Sequence, residues 1–161
     1  MIDDDEKVSV YEKSSRDKFK RLCDNLNLIF EDSQQMFDHY DEILYYKNKK
    51  YIVELKDRKL KYDYPTIMFE KYKYDNLIFK MKELNADGAY YISFFGDDAY
   101  IYKLPMPDQM DEQIKNIAAN KIYGIFDKQN ITPEEKRVKQ VFLINKSKCK
   151  KYNINDKRKN N

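Results

Sequence analysis

Three side chains in the first half of the chain have the types and spacing for phosphoryl chemistry: Asp41, then Glu54 and Lys56 one residue apart. They sit in two short apolar segments, 41–46 (DEILYY) and 51–56 (YIVELK), joined by the polar stretch 47–50. A hairpin with a two-residue loop at Asn48-Lys49, or with a four-residue loop over 47–50, places Tyr46 opposite Tyr51. Continued along the strands, that register sets Ile43 against Glu54 and Asp41 against Lys56. Opposed residues share a face, so Asp41, Glu54 and Lys56 fall together within about 8 Å, and Tyr51, Val53 and Leu55 point the other way. A slip of one residue would destroy the arrangement.

Two neighbouring carboxylates repel, and more strongly as the dielectric falls. A divalent cation relieves that repulsion, and Mg²⁺ suits a site of few carboxylates, several waters and a phosphate oxygen. An ammonium beside them can orient an attacking water and stabilise charge on phosphate, and the metal can lower the pKa of that water. The chemistry that uses all three is hydrolysis of a phosphodiester. The plain alternative is a solvated strand face with an Asp41–Lys56 ion pair, worth about 0–1 kcal/mol.

The elements that must position these residues follow from hydrophobic spacing. Phe19, Leu22, Leu26 and Ile29 predict a helix over 11–30, with Ser14 and Ser15 as candidate caps. The Ile-, Val-, Leu- and Tyr-rich segments 41–46 and 51–56 predict strands. A charged loop, 57–65, leads to a second helix from Thr66 or Glu70 to Asn85, with Tyr74, Leu77, Ile78, Met81 and Leu84 on its apolar side and Gly88 as its stop. Segments 89–95 and 99–104 predict a second hairpin around Gly96-Asp97-Asp98. Beyond Pro105 and Pro107, a short helix over 108–120 and strands at 121–127 and 140–146 are expected. Residues 1–147 then make one α/β domain with a mixed central sheet flanked by helices, and 148–161 a basic, flexible tail.

This order, with Asp41 at the head of one strand and Glu54-Leu55-Lys56 on the next, resembles the PD-(D/E)xK nucleases, a superfamily that includes restriction endonucleases, Holliday junction resolvases and phage exonucleases. The resemblance covers roughly residues 11–104. It implies a restriction-endonuclease-like fold and a metal, Mg²⁺ or Mn²⁺, held by Asp41, Glu54 and the backbone carbonyl of Leu55. Lys56 would be the catalytic ammonium, Lys73 on the following helix an assisting group, and Glu12 on the first helix a further acid. Tyr40 stands where the family has Pro, and Asp38 is an alternative ligand to Asp41 if the strand starts earlier. The function implied is Mg²⁺-dependent cleavage of DNA by an endonuclease or junction resolvase, with a catalytically inactive nucleic-acid-binding or protein-interaction module as the alternative. Relatives of this fold often act on duplexes as dimers, so the resemblance extends to a homodimer.

Composition narrows the rest. The 161 residues carry a net charge of +3, with 42% hydrophobic and 37% charged residues, which fits one folded domain. Three glycines leave little for a Gly-rich phosphate loop. One histidine and two distant cysteines, Cys23 and Cys149, cannot build a four-ligand zinc site. The acidic start has no signal-peptide pattern and no stretch reaches the roughly 20 apolar residues of a membrane span. A reducing, cytoplasmic setting is expected, and the Lys, Asn, Tyr and Ile bias suggests an AT-rich genome such as that of a phage or its bacterial host. His39 reads as a surface residue before it reads as a base. The lysines around 47–50 and 59–73, interleaved with Tyr62, Tyr64, Tyr72 and Tyr74, are either a polyanion surface or ordinary solvated charge. Tyr90, Tyr91, Phe94 and Phe95 are expected in the core.

Overall fold

The computed structural model describes residues 4–32, 40–58, 63–105, 113–120 and 136–157, with the backbone alone for 4–12, 113–120 and 136–139. Helix α1 (Asp4–Leu26) is followed by strands β1 (Ile29–Asp32), β2 (Glu42–Tyr46), β3 (Lys49–Arg58) and β4 (Thr66–Glu70). Helix α2 (Lys71–Glu83) leads to β5 (Gly88–Phe95) and β6 (Asp98–Leu104). Strands β7 (Gln113–Asn120), β8 (Lys136–Asn145) and β9 (Lys150–Asn153) complete the order.

A six-stranded sheet runs β1-β2-β3-β5-β6-β9, and β4-β8-β7 make a second, three-stranded sheet. Only β3 and β5 pair in parallel; all other neighbours are antiparallel. A parallel pair needs a long crossover, and β4 with α2 supplies it. This is the expected mixed α/β architecture, a central mixed sheet flanked by helices.

The period of two along β3 divides the core. Tyr51, Val53 and Leu55 pack with Phe19, Leu22 and Cys23 of α1, while Ile52 packs with Ile67, Phe69, Leu77, Phe142 and Ile144 on the side of α2 and the small sheet. Both layers are closed: Phe19, Ile52, Val53 and Leu77 are at most 1% exposed. A side chain of this kind stabilises the fold by about 1.5–3 kcal/mol through burial. Tyr91 and Phe94 lie in the core as expected, with Tyr90 and Phe95 half-buried at its margin.

Several expectations are corrected. The first helix ends at Leu26 and not at residue 30, because Asn27 adopts a left-handed conformation (φ 54) that ends it. Ile29 then lies in β1 and is 70% exposed. Ser15 is buried within α1 and Ser14 bonds to Asp57, so neither caps its start. Residues 66–70 form a strand, and the second helix starts after Glu70. Asn85 (φ 52) turns the chain out of it; Gly88 opens β5 beside Tyr51, whose ring leaves only 3.2 Å for an added Cβ. Residues 113–120, expected in a helix, form β7, and the segment expected as 140–146 is the longer β8. The stretch from 148 expected as a tail carries β9, which pairs with β6 and seats Ile154 at 0% exposure. Residues 121–127 fall outside the described residues.

The first hairpin also differs. Lys47 (φ 48) and Asn48 (φ 62) both take the left-handed conformation of a two-residue type I′ turn. Tyr46 therefore faces Lys49, Leu44 faces Tyr51 and Glu42 faces Val53. The register is displaced by two residues from the expected one. An even displacement preserves which side chains share a face, so the division of β3 survives while Asp41 moves from the level of Lys56 to that of Glu54.

Candidate active site

At the end of β2 the ladder gives way to a side chain. Asp41 N donates to Val53 O (2.8 Å), and Asp41 Oδ2 accepts from Leu55 N (2.7 Å). The carboxylate is thereby fixed against β3 at the level of residues 54 and 55. Its other oxygen lies 4.0 Å from Arg16 Nη2 of α1.

On the α2 side of β3, Glu54, Lys56 and Arg58 succeed one another at alternate positions. With Met68, Phe69 and Glu70 of β4, Lys73 of α2 and Tyr91 of β5 they line a small open cleft. Glu54 is buried, at 9% exposure. Its Oε1 accepts from Lys73 Nζ at 2.8 Å. Burial, then the charge of Asp41, pushes the Glu54 carboxyl up to about 7 against the opposing pull of Lys73 and Lys56. Burial also works against the Lys73 ammonium, but Glu54, Asp41 and Glu70 outweigh it and its pKa lies above the ordinary lysine value. The Lys56 pKa is lowered, first by burial and then by repulsion from Lys73 and Arg58. Among the described residues, neither Lys56 nor Arg58 has a carboxylate within ion-pair distance.

The structure thus brings Glu54, Lys56 and Lys73 to one cleft; Asp41 is not among the residues that line it, but bonds to the backbone of Leu55 between Glu54 and Lys56. Asp38 and His39 fall outside the described residues, and Glu12 is on α1 with its side chain outside them. Arg58, Glu70, Phe69 and Tyr91 join the cleft as residues that the spacing argument did not select. The signal for Arg58 was present: it continues the alternation of 54 and 56, once the strand is taken two residues beyond Lys56.

Among the described residues, no group of three or more His, Cys, Asp or Glu side chains is placed to hold a metal ion. Asp41 and Glu54 supply two carboxylates, and each oxygen that already accepts one hydrogen bond keeps further lone-pair capacity. Mg²⁺ is commonly held by one or two carboxylates with waters and phosphate oxygens making up the rest. Burial is the larger cause of the raised Glu54 pKa; the Asp41 charge, the second cause, is what such a cation would relieve, and two carboxylates are a donor set that fits a hard divalent ion.

No protein-family model matches the chain, and no curated protein matches it. Among solved structures, it is similar to Hjc, a Holliday junction resolvase from the archaeal hyperthermophile Archaeoglobus fulgidus, with a TM-score of 0.47 and 15% identity over 82% of this chain and 88% of that one. Among the described residues no helix is long and apolar enough to cross a membrane.

Proposed function

We propose that the protein is a metal-dependent nuclease of the PD-(D/E)xK type that hydrolyses phosphodiester bonds of DNA, in the manner of an endonuclease or junction resolvase. The observation that carries this reading is that Glu54 and Lys56 line one cleft from the same face of β3, with Asp41 bonded to the backbone of the intervening Leu55. Asp41, Glu54 and the carbonyl of Leu55 would hold Mg²⁺ or Mn²⁺. When bound, the ion supplies a water of lowered pKa and polarises the phosphate.

The chain's own residues have distinct tasks. Asp41 is held in place by its bond to Leu55 N. Glu54 passes through its titration near neutral pH, so its carboxylate form grows as the pH rises past about 7. Lys73 anchors one Glu54 oxygen and limits how far its pKa rises. Lys56, which among the described residues has no carboxylate within ion-pair distance, is available to stabilise the charge that builds on the phosphate oxygens as water attacks.

Supercoiled plasmid and branched duplexes, incubated with Mg²⁺, with Mn²⁺ and with chelator, test the reading. Chelator-sensitive cleavage that disappears in Lys56→Ala and Glu54→Gln is expected. Cleavage surviving both substitutions would refute this site. DNA binding without cleavage would leave a binding module of the same fold.

A further inference from the structure

Beyond Lys56, the cleft has a second cationic element with its own support. Arg58 Nη2 donates to the Tyr91 hydroxyl (2.7 Å) and to the carbonyl of Met68, and the same hydroxyl donates to that carbonyl at 3.1 Å. Tyr91 is itself immobilised. Its ring is 3% exposed and stacks on Phe69 at 3.9 Å between centroids, 10° from parallel. A long, flexible side chain is thus held in one place by a hydroxyl, a carbonyl and a stacked ring pair.

That support does not exhaust Arg58. A guanidinium has five N–H donors, and the Nε of Arg58 is buried without any hydrogen-bond partner among the described residues. A buried donor left unpaired costs about 1–3 kcal/mol, and among the described residues no acceptor removes that cost. Three cations, Lys56, Arg58 and Lys73, share the cleft with two acids, of which Glu54 is already paired to Lys73. An anion with several acceptor oxygens fits what remains.

We propose that Arg58, positioned by Tyr91, forms a second phosphate subsite beside the Glu54–Lys56 centre, so that the cleft takes a polynucleotide through two consecutive phosphates. The spacing agrees with this. Two residues along a strand advance by about 6.7 Å, which is of the order of one nucleotide step, and Glu54, Lys56 and Arg58 follow one another at that interval on one face. The phosphate at Lys56 is the one attacked; the phosphate at Arg58 is its neighbour and does not react. Arg58 is a substrate-binding residue and Tyr91 a positioning residue. The inference rests on reading the cleft as a phosphate site.

Two measurements test it separately from that reading. In chelator, binding of a labelled duplex oligonucleotide is followed by anisotropy as salt is raised. Arg58→Met, which keeps the aliphatic stem, should weaken binding about tenfold and reduce the salt slope by about one. Tyr91→Phe keeps the stack and should lose part of the same affinity. With Mg²⁺, Arg58→Met should raise KM for DNA with little change in kcat. Hydrolysis of bis(4-nitrophenyl) phosphate, which has no neighbouring phosphate, should fall much less than cleavage of DNA. Unchanged oligonucleotide affinity in Arg58→Met, or equal loss on both substrates, overturns the subsite. If Arg58 matters for binding but nothing is cleaved, the subsite stands and the hydrolytic reading falls. Lys56-dependent cleavage indifferent to Arg58 gives the reverse. A parent protein that binds no oligonucleotide removes both.

Discussion

Two buried glutamates lie at opposite faces of the central sheet, and Glu54 is the one that lines the cleft. Glu54, at 9% exposure, faces the cleft, bonded to Lys73. Glu42, at 0%, faces α1, with the Asp32 carboxylate and the Arg16 guanidinium, at 3.8 Å, as its charged neighbours. Burial, then the adjacent Asp32, pushes the Glu42 carboxyl up to about 9, whereas Glu54 reaches about 7. The difference comes from what each can reach. Glu54 has two lysines lowering its pKa, Lys73 and Lys56. Glu42 has one guanidinium, itself shared with Asp32 and Asp41. A carboxyl that ionises near neutrality beside another carboxylate is suited to chemistry. One that stays protonated in a closed layer is a matter of stability.

Substitutions separate the two glutamates. Glu54→Gln should reduce plasmid cleavage by about 100- to 1000-fold or more while Glu42→Gln leaves the rate near that of the parent. Equal losses would erase the distinction. Lys73→Ala removes the cation that most strongly lowers the Glu54 pKa, so at a fixed Mg²⁺ concentration the acid limb of the pH–rate profile should move up by about one unit. A profile that stays in place would show that Glu54 does not set that limb.

Stability should report Glu42 in the opposite sense from the usual paired carboxylate. Its folded pKa lies above its unfolded one, so its contribution is fully present below the unfolded value, near 4.5, and is lost as the pH rises through about 9. Denaturant melts across that window should show the parent weakening. Glu42→Gln should differ by no more than about 1 kcal/mol at about pH 4.5 and should weaken less toward pH 9. Parallel curves for the two proteins would contradict this assignment. The smallest effect concerns the turn that sets the register. Asn48 takes φ 62, so Asn48→Gly should stabilise the hairpin slightly or leave it unchanged, within about 1 kcal/mol, with cleavage retained. Lost cleavage in a folded Asn48→Gly variant would mean that the register, and with it the Asp41–Glu54 meeting, is not held by this turn.

Much of this arrangement was legible in the residues themselves. The alternation in 51–56 correctly assigned Tyr51, Val53 and Leu55 to one layer and Glu54 and Lys56 to the other, because a period of two survives any even change of register. The turn itself was not legible: Lys-Asn is an uncommon type I′ pair, and only the backbone angles show that it is used. Strand β4 was hidden because Thr66–Glu70 runs straight into α2, with no Gly or Pro between strand and helix. Strand β9 was hidden by its lysines. It is an edge strand beside β6, where charged side chains are the ordinary defence against further pairing. Glu42 escaped notice because a lone acid beside Asp41 reads as a surface charge; its burial arises only when α1 closes over β2 and β3.

The most direct test of the two-carboxylate site follows the Glu54 side-chain carboxyl carbon by NMR from about pH 5 to pH 9, with and without Mg²⁺. Titration near 7 in the metal-free protein, falling by about a unit or more when Mg²⁺ is added, is the predicted result. A Glu54 titration that Mg²⁺ leaves unmoved at concentrations supporting cleavage would contradict a cation shared between Asp41 and Glu54.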